Sequence, residues 1–144
     1  MGDPSRRNLP PKGWPRLRTL VSRAIKRRCP NCGGKGIFAN WFSLKDTCPT
    51  CGAVFVREEG YFLGAYAINL IVAEFIGLGL VLVILFNVDL SLWEQEVIAV
   101  GAAVALPVLF FPFARTLWMA LDLYVDPKTS ERRLRGEDIS RREK

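Results

Sequence analysis

The sequence contains no histidine. That absence removes a Ser-His-Asp triad, a His-assisted cysteine nucleophile and any imidazole-ligated metal. A second absence is local: Tyr61 to Glu96 has no Lys or Arg, and its four acids give net −4. The flanks carry the cations, net +8 from Met1 to Gly60 and net +2 from Val97 to Lys144. The 144 residues (16.2 kDa) allow one small domain. Half of them are hydrophobic and mean hydropathy is +0.17, yet 24% are charged. Those values are compatible because apolar and charged residues are segregated along the chain. No catalytic constellation is visible, so an enzyme is not the first reading.

All four cysteines fall in one 23-residue window, as Cys29-Pro30-Asn31-Cys32-Gly33 and Cys48-Pro49-Thr50-Cys51-Gly52. Fifteen residues separate Cys32 from Cys48, the C-x2-C-x15-C-x2-C spacing of a four-cysteine zinc site. Two thiolates two residues apart can bind one tetrahedral ion at ~2.3 Å, and a second pair closes the shell. Each trailing glycine suits the positive-φ turn that lets backbone N–H groups point at sulfur. Four filled positions make the zinc structural rather than catalytic. Lys26, Arg27, Arg28, Lys35 and Lys45 would offset the formal −2 of a zinc tetrathiolate. Two disulfides are the plainer alternative. A thioredoxin-like redox pair would need a βαβ context that is missing. Iron in the same four-sulfur cage stays open. The runs 36–42 and 53–56 read as short ribbon strands, and a ribbon this small depends on its metal for folding energy.

Tyr61 to Phe86 is 26 residues with one acidic or basic side chain, Glu74, and Val97 to Ala114 is 18 residues with none. Roughly 20 apolar residues cross the ~30 Å hydrocarbon core, so both read as transmembrane helices. Pro107 and Pro112 kink the second, which lipid tolerates when neighbours satisfy the freed carbonyls. Arg115 snorkels. The acidic loop between cationic flanks places both termini in the cytoplasm. Trp93 marks the outer interface, and Tyr61, Trp118 and Tyr124 the inner one. The cysteines then face a reducing compartment, which favours metal over disulfide. No signal peptide is apparent. Glu74 is expected ~20 Å from the inner end of its helix, past the midplane, too far from Arg115 to pair with it. It could carry protons, contact a substrate, or simply pack protonated against small residues. Asn69 is a candidate interhelical hydrogen bonder. Gly60/Gly64, Ala73/Gly77 and Gly101/Ala105 allow close helix approach, more readily within one hairpin than between copies.

Trp14, Leu17, Leu20, Val21, Ala24 and Ile25 recur at helical spacing, with Arg16, Arg18, Arg23, Lys26 and Arg27 between them. Such a helix lies on the inner leaflet with its cations at anionic head groups. Without a base-reading motif, nucleic acid is not an expected partner. The chain therefore divides into a tail (1–13), a basic interfacial helix (14–28), a zinc ribbon (29–57), a first span (58–86), an external loop (87–96), a second span (97–123) and a charged cytoplasmic tail (124–144).

From Arg28 to Leu123 the chain resembles a family of small bacterial membrane proteins known as domain of unknown function 983. The resemblance rests on both cysteine pentads, Gly36-Ile37-Phe38, Leu44-Lys45-Asp46 and Glu58-Glu59-Gly60 leading into a hydrophobic hairpin. Many members have aspartates where Glu58 and Glu59 stand, and proline where Tyr61 stands. The resemblance implies a bacterial inner-membrane location and supplies no activity; some members hint at respiratory-complex assembly. The expected fold is a mainly α membrane protein: a two-helix transmembrane hairpin carrying an N-terminal cytoplasmic four-cysteine zinc ribbon with short β strands. The leading functional reading is a docking module for a membrane-associated protein, with Trp41 and Phe42 as contacts to partner or lipid. The alternatives are a thiolate-iron electron carrier and a subunit of an oligomeric transporter using Glu74.

Overall fold

The computed structural model describes residues 9–55, 60–87 and 89–125. Most of the expected N-terminal tail, Glu58, Glu59 and the charged C-terminal segment lie outside the described residues. Three helices make up the regular structure: α1 (Trp14–Ile25), α2 (Leu63–Asn87) and α3 (Leu92–Val125).

Helix α1 opens with Pro15 in its first turn, where a missing N–H costs nothing. It stops three residues short of expectation, in a Schellman-type closure: the N–H of Arg27 donates to the Ala24 carbonyl and that of Arg28 to the Arg23 carbonyl, both at 2.9 Å. Arg27 occupies the left-handed position with φ +53°, a place glycine usually takes.

The start of α3 corrects the expected loop, because the helix begins at Leu92 and not at Val97. Ser91 and Glu94 form a capping box. The Glu94 carboxylate accepts from the Ser91 N–H at 2.9 Å, and the Glu94 N–H points at the Ser91 Oγ at 3.4 Å. Helix α3 is 34 residues long, ~51 Å by helical rise and well beyond one hydrocarbon thickness. Its two parts behave differently. No side chain from Leu92 to Phe111 is buried, whereas Pro112, Ala114, Thr116, Met119, Ala120 and Leu123 are.

Both α2 and α3 are long and apolar enough to cross a membrane, and their most apolar stretches are only 11% buried. They pack where α2 begins: a Cβ on Gly64 would run into the Trp118 indole, and the Tyr61 hydroxyl donates to Asp122 at 3.1 Å. The other small residues do not serve this way, since nothing lies within 4 Å of a Cβ built on Gly77 or Gly101.

Among the described residues there is no sheet. The expected ribbon strands reduce to two isolated antiparallel bridges, Phe38 with Leu44 and Thr47 with Val54. The chain reverses too soon after each bridge to extend a ladder. One core cluster joins Leu20 and Ala24 of α1, Cys29, Ile37, Cys48, Cys51, Ala53 and Phe55 of the cysteine-bearing loops, and Met119, Ala120 and Leu123 of α3.

Candidate metal centre

The two cysteine pentads fold alike. In each, the N–H of the trailing glycine donates to the carbonyl of the leading cysteine (Gly33 to Cys29 at 2.7 Å, Gly52 to Cys48 at 2.9 Å). The leading cysteine's own N–H donates to a carbonyl five residues on (Cys29 to Gly34 at 2.9 Å, Cys48 to Ala53 at 2.8 Å). Closing so tight a loop requires positive φ at both glycines, +78° at Gly33 and +68° at Gly52. The knuckles touch at Gly34, where a Cβ would collide with the Thr50 side chain.

This folding brings the four sulfur atoms within 4.8 Å of one another. Cys29 and Cys51 stand 3.9 Å apart, Cys32 and Cys48 3.8 Å apart. Four sulfurs at ~2.3 Å from one tetrahedral ion would be separated by about 3.8 Å, so the donor set fits a metal ion. Cys29, Cys48 and Cys51 are buried and Cys32 is half-buried. The Gly34 N–H donates to the Cys32 Sγ at 3.3 Å and the Asn31 amide to the Cys51 Sγ at 3.7 Å, the outer-shell donors a thiolate cage needs.

The sulfurs are electrostatically unequal. Cys29 is held above the ordinary thiol range by donating to Cys48 and Cys51 and by burial. Accepting from Cys29 brings Cys48 down to about 4 and Cys51 to about 6, while burial raises Cys32 to about 11. A divalent ion would displace the remaining protons and supply the charge that lets four thiolates share one cage.

The family described as protein of unknown function (DUF983) matches residues 38–123, well over half the chain. The chain belongs to this family. The matched stretch takes in the second cysteine pair and leaves the first outside it. No curated protein and no solved structure matches the chain.

In this DUF983 protein the basic residues of α1 do not form one lipid-facing set. Arg18 and Lys26 are exposed, but Arg16 is buried. Arg23 braces the first knuckle, donating to the carbonyls of Pro30 at 3.0 Å and Asn31 at 2.8 Å. Arg27 lies over the rings of Phe38 at 4.9 Å and Trp41 at 4.6 Å. The apolar face of α1 divides too: Leu20 and Ala24 pack into the core, while Trp14 and Ile25 stay exposed.

Trp41 and Phe42 reach α3, although both keep exposed surface. The Trp41 indole N–H donates to the Val108 carbonyl at 2.9 Å. Pro112, four residues on, has no N–H to offer that carbonyl. The carbonyl that Pro112 leaves without a helical partner is thus satisfied from the loop between the knuckles. Phe42 meets Phe111 ring to ring at 5.5 Å, and its carbonyl accepts from Arg115 at 3.0 Å. The Arg115 guanidinium also covers the Phe62 and Phe111 rings, at 4.9 and 4.7 Å. Thr116, fully buried, sets its hydroxyl 2.9 Å from the Ala24 carbonyl at the end of α1. Sequence reasoning missed this clasp. Its signals were proline at 112 and two polar residues, Arg115 and Thr116, closing an apolar run.

Asn69 is buried between α2 and α3, its amide donating to the Pro107 carbonyl at 3.1 Å. Glu74 is exposed on the edge of a groove of about 370 Å³ between the same helices, floored by Gly77, Ala99, Ala102 and Ala103.

Proposed function

We propose that this chain is a two-pass protein of the bacterial inner membrane with both termini in the cytoplasm. Its four cysteines hold a structural zinc ion. The metal fixes a rigid cap on the cytoplasmic end of α3, and the cap is a docking module for a membrane-associated protein in respiratory-complex assembly. One observation carries this reading: the loop that the two knuckles hold between them is the loop that clasps α3. A tetrathiolate shell is closed, so its metal supplies shape rather than an open coordination position. Shape fixed against a membrane helix is what a docking surface requires.

The clasp also sets depth. The polar loop around Trp41 belongs at the interface, so α3 leaves the hydrocarbon near Val108. Leu92 to Phe111 is then the span, 20 residues and ~30 Å. The Asn69–Pro107 bond sets the register of the two helices and brings Glu74 about level with Ala102, near the middle of that span and shallower than the sequence alone places it.

The test combines metal analysis with crosslinking. Purified protein is expected to contain one zinc per chain and no visible absorption; a strong visible band would mean iron and an electron carrier. A photocrosslinker at the exposed Lys45 is expected to give one discrete adduct in native membranes. That adduct should vanish in Cys48→Ser while the variant stays in the membrane. An unchanged adduct in Cys48→Ser, or none in the native protein, ends the docking reading.

A further inference from the structure

Between the C-terminal end of α1 and the first knuckle lies an open cleft of about 540 Å³. Lys26, Arg27, Arg28 and Lys35 line it, with Ile37 and Phe38 as apolar wall. Among the described residues no carboxylate lines this cleft. A zinc tetrathiolate would bring a formal −2 nearby, and the four cations leave the cleft positive even so. Two carbonyls of the last α1 turn, those of Arg23 and Ala24, are already occupied by the Arg28 and Arg27 N–H groups.

Arg27 is the most telling member. It is the one non-glycine residue of positive φ among those described. The left-handed conformation costs an L-residue roughly 1–2 kcal/mol, and glycine would avoid that cost. What arginine adds is a guanidinium packed on the Phe38 and Trp41 rings, with its Nε buried, while the residue lines the cleft. A guanidinium held in place by rings presents its terminal N–H groups as the planar donors that phosphate oxygens accept. The Trp41 ring under it is the one bonded to α3 at Val108, where that helix emerges from the lipid-exposed stretch.

We propose that this cleft binds the phosphate of an anionic phospholipid head group. The assignment rests on the membrane placement above. Arg27 and Arg28 supply planar donors, Lys26 and Lys35 supply charge, and the Ile37 and Phe38 wall borders the acyl side.

The experiment is native mass spectrometry of the full zinc-loaded chain released from micelles doped with phosphatidylglycerol or phosphatidylcholine. One phosphatidylglycerol per chain is expected to remain bound, and phosphatidylcholine is expected to be lost. Arg28→Gln with Lys35→Gln should weaken retention about tenfold or more, the size of one or two lost charged hydrogen bonds. Lys12→Gln with Lys45→Gln removes the same charge from exposed positions outside the cleft and should leave retention unchanged. Zinc content of each variant shows that the knuckles have folded. Equal loss in the two double variants would overturn the site in favour of diffuse attraction. Displacement of the lipid by millimolar inorganic phosphate would make it a free-anion site and overturn the lipid assignment. Flotation of the native chain with vesicles after a carbonate wash tests the membrane placement separately, so its failure is distinguishable from failure of the cleft.

Discussion

Gly34 and Thr50 meet where the two knuckles face each other, and neither is a metal ligand. A methyl group at 34 would enter the space of the Thr50 Oγ1 and Cβ and press on the Cys32 Sγ. Overpacking of this kind costs about 1–3 kcal/mol. In a cage whose folding and metal binding are one equilibrium, that cost is expected as roughly tenfold or more weaker zinc affinity in Gly34→Ala. Thr50→Gly removes the colliding atoms. The double variant should recover most of the lost affinity, as measured by competition with a chromophoric chelator. Additive losses would show that 34 and 50 do not touch in solution. Arg23 gives a second expectation at this scale. Its guanidinium ties α1 to the Pro30 and Asn31 carbonyls, so Arg23→Gln should weaken zinc binding without removing any sulfur. An unchanged zinc affinity in that variant would show the brace to be idle.

Elements meet at two places where a single atom or group decides the fit. Trp41→Phe keeps a ring beside Arg27 but withdraws the N–H from the Val108 carbonyl that Pro112 leaves unpaired. About 1 kcal/mol of coupling between the loop and α3 is expected to go with it. It would be read as lost crosslinking between engineered cysteines at 42 and 111. Gly64→Leu sets a side chain against the Trp118 indole and should force α2 from α3, lowering the thermal midpoint in detergent, with Trp118→Ala restoring it. The knuckles and the two long apolar helices were legible in the sequence because each rests on local spacing: two residues between sulfurs, twenty or so between charges. The capping box at Ser91 and Glu94 is equally local, but its acid also reads as a loop charge that sets topology, and that reading hides the helix start. The clasp of Trp41, Phe42, Arg115 and Thr116 was not legible. Its partners lie 67 to 92 residues apart, and no periodicity marks them. For the same reason the apolar positions of α1 read as one lipid-facing stripe, when two of the six, Leu20 and Ala24, belong to a core shared with α3.

For the whole molecule, the metal cage, α1 and the emerging half of α3 form one cooperative unit, because a single core cluster runs through all three. The half of α3 from Leu92 to Phe111 shares none of that cluster, and in the proposed membrane its helix would be supported by apolar surroundings that keep backbone bonds inside the segment. Removing the metal should therefore loosen the chain selectively. If the proposed metal's binding free energy supplies the knuckles' folding free energy, its removal should release Cys29 from Cys51. With them go the Trp41 and Phe42 contacts, and Thr116 loses the fixed end of α1. Hydrogen exchange of the protein in lipid nanodiscs, before and after chelation, is the measurement. Protection is expected to fall across 29–55 and 112–123 and to hold across 95–106. Cys51→Ser should reproduce the chelated pattern with zinc present. Protection lost only in the knuckles would mean that the cap rests on α3 without sharing its stability. Protection lost evenly along α3 would mean that the hairpin itself depends on the metal. Only the selective pattern fits a cap that is locked by zinc and seated on a helix the membrane already holds.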